Sequence, residues 1–266
     1  MVRLPAVAGK FYTDDPDRLR EELSSMMPQG QEERAIGIVA PHAGYVYSGH
    51  VAGKVYSAVR VPDTVLVLGP NHTGLGAPAA LAPAGEWLTP LGPVPVNSLL
   101  SKLILKHAAS VREDVVAHRF EHSIEVQLPF LQYRNPDVTI AAICLSLPDF
   151  DSISQLGEGI ASAIKEFGQE VLIVASSDMT HYESARAAKA KDDLALAQLT
   201  GMNPEGLLRV CREKGITMCG VIPATAMLVA ARSLGASCCR LVNYATSGDV
   251  SGDQKSVVAY AALAVS

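Results

Sequence analysis

The sequence lacks the features that mark several special classes of protein. No uninterrupted apolar run reaches the roughly 18 residues that a membrane-spanning helix needs. There is no cluster of basic residues and the net charge is −5, which argues against a nucleic-acid surface. The first residues, MVRLPAVAGKFY, contain no continuous apolar segment of a secretory signal. These absences predict a cytoplasmic protein with no nucleic-acid or membrane partner.

Cysteine is also scarce and badly spaced for cross-linking. The chain has five cysteines, an odd number, and Cys238 and Cys239 are adjacent. No CxxC pair occurs, so neither a disulfide framework nor a thiolate zinc site is indicated. We expect all five thiols to be reduced in the cell.

Apolar segments of strand length alternate with segments of helical period along the 266 residues. This order predicts one α/β domain over residues 1–266, with a central, mostly parallel or mixed sheet covered by helices on both faces. The predicted core strands are Ala35–Ala40, Thr64–Leu68, Val138–Leu145, Glu170–Ala175, Cys239–Tyr244 and Ser256–Val265. Helices are predicted between them, among them His50–Arg60 and Glu121–Tyr133.

Polar residues with metal-binding or proton-transfer chemistry follow these strands. His42 and His72 each come after a strand that stops at a proline, Asp178 and His181 follow a third strand, and Asp249 follows a fourth. Open α/β sheets bind ligands at the carboxyl ends of their strands. Two imidazoles and one carboxylate form the facial triad of non-haem Fe(II) oxygenases, although zinc, manganese and copper accept the same donors.

Each candidate also has an ordinary structural explanation. Asp178 could cap a following helix, and Asp249 could be a turn residue. His122 lies with Glu121 and Glu125 on the predicted helix, where an ion-paired face competes with a role in proton transfer. His181 is a spare imidazole suited to proton transfer near neutral pH. Cys219, before Gly220, is a buried thiol or a reactive one, and we favour the buried thiol.

Seven segments are distributed in order over nearly the whole chain: PAVAGKFY, APHAGYVYSG, LGPNHTG, EHSIEVQLPF, SSDMTHYE, CGVIPA and NYATSGD. In these segments the sequence resembles the Memo family, whose prokaryotic members are called AmmeMemoRadiSam system protein B. The resemblance implies a fold like that of class III extradiol ring-cleaving dioxygenases. It also implies two partners, an AMMECR-type protein and a radical SAM protein.

The resemblance implies specific site residues as well. The family's metal positions correspond here to His42, His72 and Asp249, with Asp178 and His181 beside them. His122 corresponds to an active-site histidine of the dioxygenase relatives. At the third ligand position the animal family member has a cysteine where this chain has Asp249, which favours an oxygenase-type ligand set over thiolate–copper chemistry.

Two classes of function therefore compete. One is a metal-dependent redox enzyme, dioxygenase-like, in which Fe(II) (or zinc or copper) acts on a small, for example aromatic, substrate and His181, His122 and Asp178 serve catalysis. The other is a module that binds a peptide or protein in the same cleft without catalysis. A metal-dependent hydrolase is a third alternative.

Overall fold

The computed structural model of the protein describes residues 1–266 and contains twelve strands in two sheets. The strands are β1 (Val2–Arg3), β2 (Gly37–Ala40), β3 (Thr64–Pro70), β4 (Ala79–Leu81), β5 (Glu86–Thr89), β6 (Gly92–Pro95), β7 (Arg112–Glu113), β8 (Thr139–Leu145), β9 (Leu172–Ser176), β10 (His181–Glu183), β11 (Cys239–Thr246) and β12 (Val257–Val265). β1, β5 and β6 form the small sheet, and the other nine strands form the main sheet.

The centre of the main sheet is parallel. Its strands lie in the order β2, β9, β3, β8, with β12 antiparallel beside β2 and β4 antiparallel beside β8. β10 and β11 both pair with β12, so the sheet is mixed at its edges. β2, β3 and β9 are buried along their whole length, as expected for β-branched and aliphatic segments that have helices on both sides.

Nine α-helices and one 3₁₀ turn (Glu125–Gln127) connect the strands. The helices are α1 (Pro16–Met26), α2 (Tyr45–Ala58), α3 (Ser98–His107), α4 (Leu128–Arg134), α5 (Phe150–Phe167), α6 (Ala185–Thr200), α7 (Pro204–Lys214), α8 (Val221–Ser233) and the single turn α9 (Gly248–Ser251). Side-chain caps define several of their starts, and Asp15, Asn97 and Asp149 each accept a backbone N–H of the first turn. Gly168 and Gly215 end α5 and α7 in the left-handed conformation.

Alternate residues of the central strands enter two separate apolar cores. Val39, Leu66 and Ile173 face the core formed with α3, α5, α6, α7 and α8. The residues directly before two of these, Ile38 and Val65, face the core formed with α1, α2 and α4 on the other side of the sheet. This period of two is the geometry of a pleated strand that is covered on both sides. The predicted α/β class, with a mixed sheet and helices on both faces, is confirmed.

Two predicted helices begin elsewhere than expected. α2 starts at Tyr45, directly after Gly44, and not at His50. The helix predicted over Glu121–Tyr133 is confined to Leu128–Arg134, because Pro129 is tolerated only in a first turn.

None of the helices is both long and apolar enough to cross a membrane. All five cysteines are free.

Candidate metal centre

The carboxyl ends of three neighbouring strands define one edge of the main sheet. His42 follows β2, His72 follows β3, and Asp178 follows β9, which lies between those two strands. The register pairs Ala40 with Ser176, so the chain leaves both strands at the same level. The ring centroids of His42 and His72 are 5.1 Å apart. The prediction that these two histidines meet at one edge of the sheet is confirmed.

His122 completes a group of three histidines. Its ring stacks on that of His72 at 4.7 Å between centroids and lies 5.4 Å from that of His42. The ligand atoms that the three side chains offer all lie within 4.8 Å of one another, so the group could hold a metal ion. His122 reaches this place from a turn that precedes the 3₁₀ segment, and its predicted position on a helix face is wrong.

Gly69 explains how the turn that carries His122 approaches the sheet. A Cβ atom at this position would lie 2.5 Å from Ser123 Oγ and 2.7 Å from Ile124 Cγ1. The Ser123 hydroxyl donates a hydrogen bond to the Pro70 carbonyl at 3.1 Å. The absence of a side chain at residue 69 therefore lets the segment after His122 pack directly on the end of β3.

The hydrogen bonds around His42 determine which of its ring nitrogens is free. Nδ1 lies 2.8 Å from Ser176 Oγ. That hydroxyl donates its one proton to the Ser123 carbonyl at 2.6 Å and accepts a bond from the Gln127 amide at 2.8 Å. Because Ser176 has no second proton, Nδ1 of His42 must carry the hydrogen of the Ser176 contact. The lone pair of Nε2 is then available for a ligand.

His72 is fixed in the same tautomer by a carboxylate. Its Nδ1 lies 2.8 Å from Oε1 of the buried Glu121, which also accepts the backbone N–H groups of His72, His122 and Ser123. Burial raises the pKa of Glu121, but the hydrogen bond and charge of His72 outweigh it and lower the pKa to about 2. An ionised carboxylate that accepts Nδ1–H leaves Nε2 free, as in carboxylate–histidine–metal sites.

Two of the three imidazoles are held in the neutral form that metal binding requires. Burial, followed by the neighbouring His122 and His72, lowers the pKa of His42 well below 6.5. Burial also lowers the pKa of His122, against the opposing charge of Glu121.

Asp178 and His181 lie around this group. Asp178 Oδ1 accepts the backbone N–H of His42 at 2.8 Å, and burial raises the pKa of Asp178 to about 6 against that hydrogen bond and the nearby His181. His181 is half-buried, and its Nδ1 donates to the Thr217 carbonyl at 3.0 Å, which leaves its Nε2 free. The carboxyl of Asp178 can therefore exchange a proton near neutral pH.

Asp249, expected from sequence to be the third ligand, is not a member of the three-histidine group. It is exposed and lies in α9. Its Oδ2 accepts the backbone N–H of Thr246 at 2.7 Å and faces the Thr246 hydroxyl at 3.3 Å. The carboxylate thus stabilises its own turn, which was the alternative considered for this residue. The third member of the group is His122.

Cys219 is a neighbour of the cluster that the sequence did not reveal. Its Sγ lies 3.2 Å from His42 Nε2 and accepts the Asp178 backbone N–H, also at 3.2 Å. Burial raises the pKa of the thiol. The contact joins residues 177 positions apart, and only the following Gly220 hints at a close approach.

The comparisons with known proteins agree with the sequence resemblance. A profile described as Memo-like protein matches residues 3–264. MEMO1 family proteins of Methanothermobacter thermautotrophicus and Methanosarcina barkeri are 40% and 42% identical to this chain, and each match covers 99% of the chain and 100% of the relative. A MEMO1 family protein of Methanococcoides burtonii is 43% identical with the same coverage.

Among solved structures, an uncharacterized protein of Escherichia coli K12 has a similar fold, with a TM-score of 0.56 at 15% identity. The similarity covers 86% of this chain and 99% of that one. It supports the α/β fold alone. The profile match over nearly the full length and the relatives at about 40% identity establish that the chain belongs to the Memo family.

Proposed function

We propose that the protein is a metal-dependent enzyme whose divalent ion is held by His42, His72 and His122. The observation that carries this proposal is the arrangement of the first two rings. Each has Nδ1 engaged by a group that can only accept, so each has Nε2 free, and the ligand atoms of all three rings converge. Structural histidines have no need of such a convergence, whereas metal ligands require it.

Fe(II) is the metal that we propose to test first, because the family resembles non-haem dioxygenases in its expected chemistry. Zinc and copper are the competing metals, since imidazole binds all three. An ion bound by three side chains keeps coordination positions open and would supply a Lewis acid or a redox centre there. A small substrate, for example an aromatic one, would bind at those positions.

The surrounding residues have defined tasks in this proposal. Glu121 holds the His72 ring in place, and Ser176 does the same for His42. Asp178, with a pKa near 6, and His181, with its free Nε2 facing a half-exposed environment, would take up or deliver protons. Neither of these two residues is needed to hold the ion.

Metal content tests the proposal directly. Wild type, His72→Ala, His181→Ala and His107→Ala are reconstituted with Fe(II) without oxygen, desalted and analysed. His107 is a matched control because it lies on the surface, paired with Glu166. We expect about one ion per chain in wild type, His181→Ala and His107→Ala, and none in His72→Ala. Equal metal in wild type and His72→Ala would overturn the assignment.

Turnover and association are tested separately. Oxygen consumption by the Fe(II) protein, screened over small aromatic substrates, should depend on His181 if that residue moves protons. A metal-loaded protein without turnover that captures a peptide would favour the binding module instead. The AMMECR-type and radical SAM partners implied by the family stay a prediction, which co-purification of the three proteins tests.

A further inference from the structure

Exposed apolar side chains are concentrated in one groove of the surface. Five of the fifteen large apolar side chains that are exposed line this groove, namely Met1, Val2, Leu4, Val115 and Phe120. Residues 1–6 form one bank and residues 115–120 the other. Single exposed apolar residues are ordinary, whereas a group of them around a concave surface marks an interaction site.

The two banks are held together by a buried arginine beneath the groove. Arg3 Nη1 pairs with Glu125 at 2.6 Å, and its Nε donates to the His118 carbonyl at 2.9 Å. Glu125 also accepts the backbone N–H of Ala6 at 2.8 Å. Because both banks are fixed by buried contacts, a partner would bind a preformed groove and would lose little affinity to ordering it.

The groove is positively charged in a protein of net charge −5. Lys10 and Arg119 are exposed at its rim, and no acidic side chain lines it. Of its three cationic side chains, Arg3 alone pairs with a carboxylate. In a two-fold contact with a second copy, the cations of the two grooves would face each other, so this charge favours an anionic partner over self-association.

The shape of the groove selects the kind of anionic partner. Its volume is about 660 Å³, and a concave surface with two free cations does not match a flat bilayer. Its banks are widely open, since Leu4 is 67% exposed and Phe120 is 59% exposed. A small ligand binds where it can bury about 70–90% of its own surface. An extended polypeptide that lies along the groove can cover both open banks, which a small ligand cannot.

We propose that this groove docks an extended, acidic polypeptide segment of another protein. Alternate side chains of an extended chain point to opposite faces. Apolar side chains of the partner would therefore lie between Leu4 and Phe120, and its carboxylates would reach Lys10 and Arg119 at the rim. The proposal is independent of the metal site, because no member of the three-histidine group lines the groove.

A defined peptide and the single tryptophan of the chain test this proposal. The probe is acetyl-ELEFELE-amide, and acetyl-QLQFQLQ-amide is its neutral counterpart. Trp87 is a natural reporter, because the Arg3 guanidinium that lines the groove lies 4.1 Å from its ring centroid. We expect saturable binding of the acidic peptide and about tenfold weaker binding of the neutral one at low ionic strength. Anisotropy of a fluorescein-labelled copy gives the Kd independently of Trp87.

Two pairs of variants locate the bound peptide. Leu4→Ser and Arg119→Glu alter the groove, whereas Leu99→Ser and Lys102→Glu are matched changes at exposed positions outside it. We expect the Kd to rise at least about tenfold in each groove variant and to stay unchanged in each control. All four positions are exposed, so the folded state should persist, and thermal unfolding checks this.

Several outcomes would contradict the docking of an acidic segment. They are no saturable binding of the acidic peptide below about 1 mM, equal affinity for the acidic and neutral peptides, and equal losses in Leu4→Ser and Leu99→Ser. Sedimentation with phosphatidylglycerol vesicles that is lost in Leu4→Ser would identify a bilayer as the occupant and would also overturn the proposal.

Discussion

His42 and His72 have the same free nitrogen but very different surroundings. His42 is almost fully buried, and its Nδ1 donates to a neutral hydroxyl that is held in turn by Gln127. The His72 side chain is 33% exposed, and its Nδ1 donates to the ionised Glu121. The first ring is therefore fixed by packing and neutral hydrogen bonds, the second by a charge.

This difference separates two requirements of a metal ligand. Position can be set by any acceptor, whereas the basicity of the ring rises more when the acceptor is anionic. We therefore expect His72 to be the stronger donor and His42 the more rigid one. In the proposed metal site, the His72 ring would contribute affinity for the ion and the buried His42 ring a fixed position.

The largest effect should come from removal of the charge on the His72 side. Glu121→Gln keeps the shape but places an amide nitrogen against N–H groups that now donate to the carboxylate. We expect metal affinity to fall about 100-fold, the upper end of the range for outer partners. Competition titration with a chelator measures this. Glu166→Gln, which alters the surface partner of His107, is the control and should bind as wild type does.

A smaller loss is expected on the His42 side. Ser176→Ala removes a neutral acceptor, and Gln127 keeps its other bond to the Pro41 carbonyl at 2.9 Å. Metal affinity should fall about tenfold, the lower end of the same range. The same titration provides the value. If Ser176→Ala weakens metal binding as much as Glu121→Gln does, the charge of the acceptor does not contribute to metal affinity, and the comparison of the two histidines is wrong.

A third effect concerns the acid sensitivity of the metal-free protein. Burial lowers the pKa of His42 below 6.5, so the unfolded chain binds a proton that the folded chain does not. The stability from this histidine is complete above pH 6.5 and is lost as the pH falls toward the folded pKa, by about 1.4 kcal/mol per pH unit. His42→Gln should reduce the loss of unfolding free energy between pH 7 and 5 accordingly, as measured in urea.

Variants of two other residues serve as comparisons for the acid loss of unfolding free energy. His118→Gln should reduce the acid loss in the same direction, because burial lowers the pKa of His118 to about 4. Asp178 acts in the opposite direction: with its pKa raised to about 6, it takes up a proton in the folded state first and so stabilises the fold as the pH falls. Asp178→Asn should therefore steepen the acid loss, and an unchanged slope in all three variants would contradict these pKa directions.

The sequence predicts the parallel centre of the sheet and part of the histidine cluster. Apolar strands that end in proline and histidine indicated the parallel centre of the sheet and the meeting of His42 and His72, because parallel strands end at a common edge. These features depend on local patterns, which a sequence displays directly.

Local patterns did not predict that His122 would join His42 and His72, or that Cys219 would contact His42. Helical period suggested a helix around His122, but Pro129 restricts α4 to the residues after it, and Gly69 draws the preceding turn onto the sheet. Asp249 matched a family position, yet its carboxylate caps its own turn. Cys219 meets His42 across 177 positions, a contact that no local pattern encodes.

The position of β12 at the end of the chain affects when the histidine edge of the sheet can fold. It follows every other element in the chain, yet it pairs with β2, and its Ala259 exchanges two backbone hydrogen bonds with Met179 and Thr180. A nascent chain that lacks residues 257–265 has neither this neighbour of β2 nor this anchor for the loop of Asp178. Because contacts between distant residues form slowly, we expect the histidine edge to become ordered late, so that the proposed ion would bind the completed polypeptide and not the chain during its synthesis.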